Sequence, residues 1–327
     1  MNDLCNKDGA VLTEQLKNSG WSEWHIYKNL QTHSRGIRVS GDEITEPELA
    51  ELICALSKST CISHVTAARI HGLRVSYRLP QQLAGAIHVL YVGYGNGAVK
   101  RKGVKGFRTK KIQQDEVVKW REGWVTSVER TIFDLATYLD LRELIKVIDG
   151  AINFHTEGYS AGKTAQTSIE KLRVTCSNHP GERGVKKMRL ALELARVGSD
   201  SALETETRLV LEDYGLKGME LNRPIYSPIG VLLFQPDIAL PFYKISIQCE
   251  GTHHDAAQQR IRDIERARRT REAGWVEIRA SIKDLNEYVF DSDRNEMVPR
   301  IVAEVRKAIS LRREAGFIFC LKAKKHH

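Results

Sequence analysis

Lys244-Ile-Ser-Ile-Gln-Cys-Glu250 is the stretch that decides the predicted fold, because apolar and polar residues alternate along it. This alternation has the two-residue period of a β-strand, so Gln248 and Glu250 share one face and the apolar residues share the other. The sequence therefore predicts a strand that carries an amide and a carboxylate on the same side of a sheet.

A helix is predicted to begin at Ser201-Ala-Leu-Glu204, a capping-box sequence, and to end at Tyr214. The capping box gives Glu204 a structural role, in which its side chain accepts a hydrogen bond from a backbone N–H group at the start of the helix. The same helix would bring Glu204 towards the predicted sheet.

Two strand-like runs follow this helix, at residues 219–226 and 231–240, and the second run contains Asp237. If the second run pairs with the strand described first, Asp237 comes near Gln248 and Glu250. Carboxylate and amide oxygens are ligands that bind Mg²⁺ in proteins. We therefore predict a Mg²⁺ or Mn²⁺ site formed by these three side chains, with the predicted helix supplying a further carboxylate beside it.

A helix rich in arginine is predicted over residues 255–272, and a strand follows at residues 274–279. The helix carries Arg262 and Arg266, and the strand ends at Arg279. These arginines either form a solvated surface or line a path for the phosphates of a nucleic acid.

The N-terminal region predicts two short helices between Leu12 and Leu30, separated by Gly20 and followed by an extended run at residues 36–40. This order indicates either a winged helix-turn-helix or a plain helical hairpin. In the first case the helix over residues 21–30 would read DNA, with Lys28 among its polar positions.

The charge of the chain favours a polyanionic partner, since its formal net charge is +9 and its pI is near 9.2. Residues 99–111 carry seven basic side chains in thirteen positions. This run is either a solvated loop or a glycine-containing segment that lies against phosphates. Its candidate DNA contacts are Lys100, Arg101, Lys102, Lys105 and Arg108.

The remaining features of the sequence are those of a cytoplasmic globular protein. Its 327 residues suggest two or three domains. It shows no run of apolar residues long enough to cross a membrane and no signal-peptide core, so we expect no membrane association. Six cysteines are scattered without metal-binding spacing.

The C-terminal part resembles the very-short-patch-repair-like branch of the PD-(D/E)XK nucleases. The motifs that carry the resemblance are the Ser-x-x-Glu204 helix, Pro-Asp237, Gln248-Cys-Glu250-Gly-x-x-His254, Asp263-x-x-Arg266 and Gly274-Trp-Val-x-Ile-Arg279. The resemblance implies a restriction-endonuclease-like central sheet flanked by helices, and Mg²⁺-dependent hydrolysis of DNA phosphodiesters. The catalytic residues it implies are Glu204, Asp237, Gln248, Glu250, His254 and Arg266, with Arg262 and Arg279 contacting DNA.

The sequence departs from this family at Gln248, where the usual residue is glutamate. A neutral amide still offers an oxygen to a cation but contributes no charge, so it should bind Mg²⁺ less tightly than a carboxylate does.

The N-terminal part, from about Leu12 to Ile152, is similar to AbiEi-type antitoxin proteins. The similarity is carried by Ser63-His-Val-Thr-Ala-Ala68, His71-Gly-Leu73, Ile87-His-Val and Thr126-Ser-x-x-Arg130-Thr-x-x-Asp134-Leu-Ala. It implies a winged helix followed by a small mixed domain, DNA binding as a repressor, and a homodimer or a toxin–antitoxin partner.

Together these observations predict a multi-domain α+β protein in four segments. They are a winged helix (1–45), a mixed α/β domain (46–155), a linker with a helix (156–195) and a nuclease-like domain (196–327). The predicted function is DNA binding combined with a metal-dependent endonuclease-like domain. The alternative is a catalytically degenerate DNA-binding regulator or antitoxin-like repressor, which would need no metal.

Overall fold

The computed structural model describes residues 9–41, 44–56, 60–76, 78–92, 101, 103–109, 111–251 and 258–316, without the side chains of 92 and 258–263. This part of the chain is a multi-domain α+β fold with 12 helices and 16 strands, which confirms the predicted fold class. Within it, no helix has the length and apolar character that crossing a lipid bilayer requires.

The chain divides into two compact units, which differ in their limits from the four predicted segments. Unit 1 comprises residues 1–147 and 167–193, and unit 2 comprises residues 148–166 and 194–327.

Unit 1 begins with two short helices and a three-stranded sheet. Its first elements are β1 (Gly9–Leu12), α1 (Thr13–Asn18), α2 (Glu23–Asn29), β2 (Gln31–Ser34) and β3 (Ile37–Ser40). The strands are antiparallel in the order β1-β3-β2, so β2 and β3 form a hairpin beside the helices. Gly20 turns the chain between the helices at φ +88°. The two helices and the hairpin have the order that the predicted winged helix requires, and the sheet is an element that a plain helical hairpin would not contain.

A five-stranded mixed sheet follows in unit 1, with the strand order β6-β5-β4-β8-β7. The elements after β3, up to residue 194, are α3 (Glu46–Ala55), β4 (Thr60–Ile62), α4 (His64–Ile70), β5 (Ile87–Val92), β6 (Val104–Thr109), β7 (Val117–Trp120), β8 (Gly123–Thr126), α5 (Val128–Leu135), α6 (Leu141–Ile152), α7 (Ile169–Asn178) and α8 (Val185–Leu194). Helices α7 and α8 bury Leu172 and Met188, so this part of the predicted linker is packed structure.

Two local features of this region differ from the sequence-based expectation. Residues 104–109 are not a loop, because they pair along their whole length with β5 as a parallel edge strand. The sequence Thr126-Ser-Val-Glu129 has the capping-box pattern and predicts Thr126 as the cap of α5. The cap is instead Ser127, whose hydroxyl accepts a hydrogen bond from the Arg130 N–H group at 3.2 Å, and Thr126 belongs to β8.

Unit 2 contains a four-stranded sheet in the order β14-β13-β12-β9, in which β13 and β14 are parallel and the other pairs antiparallel. Its elements from residue 202 are α9 (Ala202–Asp213), β9 (Glu220–Leu221), β10 (Ile225–Tyr226), β11 (Leu232–Phe234), β12 (Ile238–Leu240), β13 (Ile245–Glu250), α10 (Gln258–Glu272), β14 (Val276–Ser281), α11 (Ile282–Asn286), β15 (Tyr288–Asp291), β16 (Glu296–Pro299) and α12 (Arg300–Glu314).

The two strand-like runs before β13 are each divided into two short strands. Asn222 has φ +46°, a left-handed conformation that ends β9, and Pro224 follows it. Pro236, which has no N–H group to donate to a neighbouring strand, separates β11 from β12. As a result Asp237 lies directly before β12 and not inside a long strand.

Both faces of the sheet in unit 2 are covered. One core cluster contains Ile247 and Leu211, which bring β13 and α9 together. A smaller cluster contains Phe234, Ala239 and Trp275. Because both faces are covered, the polar face of β13 is not simply exposed to solvent.

Candidate functional site

Glu204 is held in the first turn of α9. The Ser201 hydroxyl caps the helix by accepting from the Glu204 N–H group at 3.1 Å. The Glu204 carboxylate does not bond back to Ser201; it accepts from the Asp200 N–H group at 2.7 Å and from the Asn222 amide at 2.9 Å. The side chain is buried, with 5% exposed. It therefore ties the start of α9 to the segment between β9 and β10.

Asp237 connects the beginning of β12 to β13, since its Oδ2 atom accepts from the Cys249 N–H group at 2.7 Å. Burial raises the pKa of Asp237 to about 6, against the opposing effects of this hydrogen bond and of the Arg266 charge. The pKa of Glu204 is raised to about 7, first by burial and then by the negative charge of Asp237. A buried carboxyl group and a partly buried one therefore interact at this edge of the sheet.

Gln248 and Glu250 lie on the same face of β13, but their surroundings differ. Gln248 is 5% exposed, and its amide donates to the Gln235 carbonyl oxygen at 3.4 Å. Glu250 is exposed and accepts from Arg279 on β14 at 2.7 Å. Burial lowers the pKa of Arg279, but Glu250 and then Glu277 more than offset this and raise it overall. Glu250 is therefore part of a surface ion pair.

The arginine-rich helix contributes Arg266, whose Nε atom lies 3.7 Å from Glu277 Oε2. Arg266 also acts electrostatically on Asp237, where it opposes the rise in the pKa of the carboxyl group. His254 and the side chain of Arg262 lie outside the described residues.

The described residues contain no group of three His, Cys, Asp or Glu side chains arranged to hold a metal ion. The structure does bring Glu204 within the electrostatic influence of Asp237. Ile247 of β13 pairs in register with Ile238 of β12. Gln248 follows Ile247 and Asp237 precedes Ile238, so both polar residues flank this pair. The oxygen donors at this edge are thus two carboxylates with an amide beside them.

A second candidate site is the exposed surface of α2. Ile26 is fully buried and anchors the helix, while Trp24 and Tyr27 are 62% and 66% exposed. The Lys28 ammonium lies 4.6 Å from the centre of the Trp24 ring, and the Arg38 guanidinium lies 4.0 Å from the centre of the Tyr27 ring. The exposed surface of α2 therefore carries two large aromatic rings and Lys28, and Arg38, which is only 5% exposed, lies against one of these rings.

The basic run at residues 99–111 contributes two exposed side chains, Lys105 and Arg108, on the edge strand β6. Arg101 donates to the Ser34 hydroxyl at 2.8 Å and also to the Arg35 carbonyl oxygen, so it holds the turn between β2 and β3. Lys100 and Lys102 lie outside the described residues.

A buried charge cluster in unit 1 was not predicted from the sequence. Arg130 is 2% exposed and donates to Asp134 at 2.9 Å and to Glu116 at 3.3 Å. His179 lies 2.6 Å from Glu116 Oε1 and 2.8 Å from Glu182 Oε1. The spacing of Arg130 and Asp134, four apart on one helix, is the one signal of this cluster in the sequence.

No model of a known protein family matches the sequence. Two curated proteins, from two strains of Mycobacterium tuberculosis, are each 31% identical to this chain over 124 residues. The match covers 38% of this chain and 44% of each relative, so the chain spans less than half the length of these relatives. Both are described as uncharacterized proteins, so neither supplies an activity.

Proposed function

We propose that this protein binds duplex DNA through the winged helix of unit 1. The observation that supports the proposal is the surface of α2, which carries Trp24, Tyr27 and Lys28 beside the β2–β3 hairpin. In helix-turn-helix proteins the second helix enters the major groove, while basic side chains neutralise phosphates. The net charge of +9 is of the sign that this partner requires.

Replacing Lys28 with alanine should weaken duplex binding about 3-fold to 10-fold and reduce the dependence of log Kd on log salt by about 1, as expected for one lost phosphate contact. Fluorescence anisotropy over a salt series measures both quantities. Lys186→Ala, an exposed lysine on α8, is the matched control. If the two variants bind DNA with equal affinity, α2 is not part of the DNA interface.

A second candidate function is metal-dependent DNA cleavage by unit 2, and the two interacting carboxyl groups favour it. Asp237 and Gln248 offer oxygens of the kind that Mg²⁺ and Mn²⁺ prefer, so the donors fit such an ion in chemical kind. Glu250 would join them only by leaving its ion pair with Arg279. A bound divalent cation supplies electrostatic stabilisation of the charge on a phosphodiester. Glu204, with a pKa of about 7, holds a proton near neutral pH.

Cleavage of plasmid DNA in Mg²⁺ or Mn²⁺ tests this second function. Asp237→Asn should cut at least about a hundredfold more slowly, because it removes a charge that acts on the transition state. Asp293→Asn, an exposed aspartate in unit 2, is the control and should cut normally.

If neither the wild type nor Asp293→Asn cuts DNA, while both still bind DNA without metal, the catalytically degenerate regulator becomes the better account. Two observations favour that outcome, namely the bond from Gln248 to the Gln235 carbonyl and the pairing of Glu250 with Arg279. Gln248→Glu would then restore a carboxylate, and cleavage gained by this variant would identify Gln248 as the cause of the lost activity.

A further inference from the structure

A cleft of about 490 Å³ lies within unit 1, apart from the winged-helix surface. Its walls come from α4, β6, α5 and the segment before α8. The side chains used in the following argument are His64, Phe107, Arg108, Asp134, Tyr138 and Arg183. A cleft of this volume is in the range that accommodates a small molecule.

One wall of the cleft is aromatic. The His64 and Phe107 rings are stacked with their centres 3.6 Å apart, and Tyr138 meets Phe107 edge-on at 5.6 Å. His64 has φ +49°, a left-handed conformation that is unfavourable for a residue with a Cβ atom. Such strained positions concentrate at functional sites. The strain here places the imidazole in the stack.

A buried acceptor also faces this cleft. Asp134 is 7% exposed, and its Oδ1 atom accepts from Arg130 at 2.9 Å. Within the described part of the chain its Oδ2 atom is buried and has no hydrogen-bond partner. Leaving a buried carboxylate oxygen unsatisfied is costly, so a donor supplied by a ligand would be stabilising.

Cationic side chains also line the cleft, together with the acidic Glu182. Arg108 and Arg183 are both exposed, and both line the cleft. Arg183 is near Tyr138: burial raises the pKa of this phenol, and the Arg183 charge opposes the rise. An anionic group of a ligand would find its counter-charge here.

We propose that this cleft binds a nucleotide unit, with the base against the aromatic wall, an amino N–H group donating to Asp134 Oδ2, and the phosphate at Arg108 and Arg183. A nucleotide offers all three matching features. Adenine, guanine and cytosine carry exocyclic amino donors, and bases stack on phenylalanine, tyrosine and histidine. The phosphate pairs with guanidinium groups. This proposal does not depend on whether α2 binds DNA.

Calorimetric titration of the full chain with AMP, GMP and CMP tests the site, and ribose 5-phosphate serves as the probe without a base. At least one mononucleotide should bind, and ribose 5-phosphate should bind at least about tenfold more weakly. Arg183→Gln should weaken the nucleotide at least about tenfold, while Arg189→Gln, an exposed arginine of the same unit, should not. Asp134→Asn should weaken it similarly, because the amide presents a donor where an acceptor is needed.

Asp134 also accepts a hydrogen bond from Arg130, so Asp134→Asn is informative only if its melting temperature matches that of the wild type. If Asp134→Asn is destabilised, Arg183→Gln alone decides the test. A short single-stranded oligonucleotide distinguishes the source of the nucleotide. If only the oligonucleotide binds and Arg183→Gln weakens it, the cleft takes a nucleotide of a strand. No binding of any probe, equal binding of ribose 5-phosphate, or insensitivity to Arg183→Gln would each overturn the proposal.

Discussion

Replacing Arg130 with methionine is expected to lower the free energy of unfolding by about 3–5 kcal/mol, the usual cost of removing one partner of a buried ion pair. The side chain is 2% exposed and is bonded to Asp134 and Glu116, which are 7% and 3% exposed. Without Arg130 these carboxylates stay buried, and less positive charge remains to offset their negative charges. Urea unfolding followed by circular dichroism measures the loss.

The matched control is Arg121→Met. Arg121 lies 3.2 Å from Glu51, and its side chain is 51% exposed. An exposed pair of this kind contributes at most about 1 kcal/mol, so the control should remain near the stability of the wild type. Similar losses in the two variants would mean that Arg130 acts only through its packing, and that the buried charges are compensated in another way.

The pH dependence of the loss separates charge from packing. Burial raises the pKa of Asp134 to about 6 although Arg130 opposes the rise, so without Arg130 this pKa should be higher still. The acid is then protonated at mildly acidic pH and its uncompensated charge disappears. The destabilisation by Arg130→Met should therefore be smaller at pH 5 than at pH 8. A loss that does not change with pH would indicate a packing defect.

Helices α1 and α2 could be predicted from the sequence because their signals are local. Leu16 and Ile26 are fully buried at helical spacing within their own helices, and Gly20 marks the turn between them. The alternation along Ile245–Glu250 likewise predicted β13 correctly. In each case a few consecutive residues indicate the type of element, so no knowledge of distant contacts is needed for that prediction.

The candidate sites were harder to predict, because their contacts join distant parts of the chain. Glu116 and His179 are 63 residues apart, and no local pattern indicates that they meet. The alternation in β13 predicted that Gln248 and Glu250 share a face, but not that the first is buried and the second is exposed and paired with Arg279. That difference depends on how the elements pack around the sheet.

Glu204→Gln should make the stability of the protein less sensitive to pH. The pKa of Glu204 is raised from its ordinary value of 4.5 to about 7, mainly by burial and then by Asp237. A carboxyl group with a raised pKa binds its proton more tightly in the folded state. Its contribution to stability is therefore fully present below pH 4.5 and is lost as the pH rises through about 7.

The expected size of this effect is roughly 3 kcal/mol for Glu204, at about 1.4 kcal/mol for each pH unit between the two pKa values. Glu204→Gln is a suitable variant because the glutamine oxygen can still accept from the Asp200 N–H group and the Asn222 amide. Urea unfolding at pH 4.5 and pH 8 should show the stability of the variant rising relative to the wild type by this amount. An unchanged difference would mean that folding does not raise the pKa of Glu204.

A divalent cation provides a further test of the same carboxyl groups. If Asp237 binds Mg²⁺ or Mn²⁺, the cation offsets the negative charge that Asp237 exerts on Glu204, and the pKa of Glu204 falls. The wild type should then lose less stability between pH 4.5 and pH 8 with Mn²⁺ present, and Asp237→Asn should not respond to the cation. This result would link the stability of unit 2 to metal binding even in a protein that cuts no DNA. If Mn²⁺ leaves the pH dependence unchanged, the two carboxyl groups serve the fold alone, because their backbone and amide hydrogen bonds hold α9, β12 and β13 together without an ion.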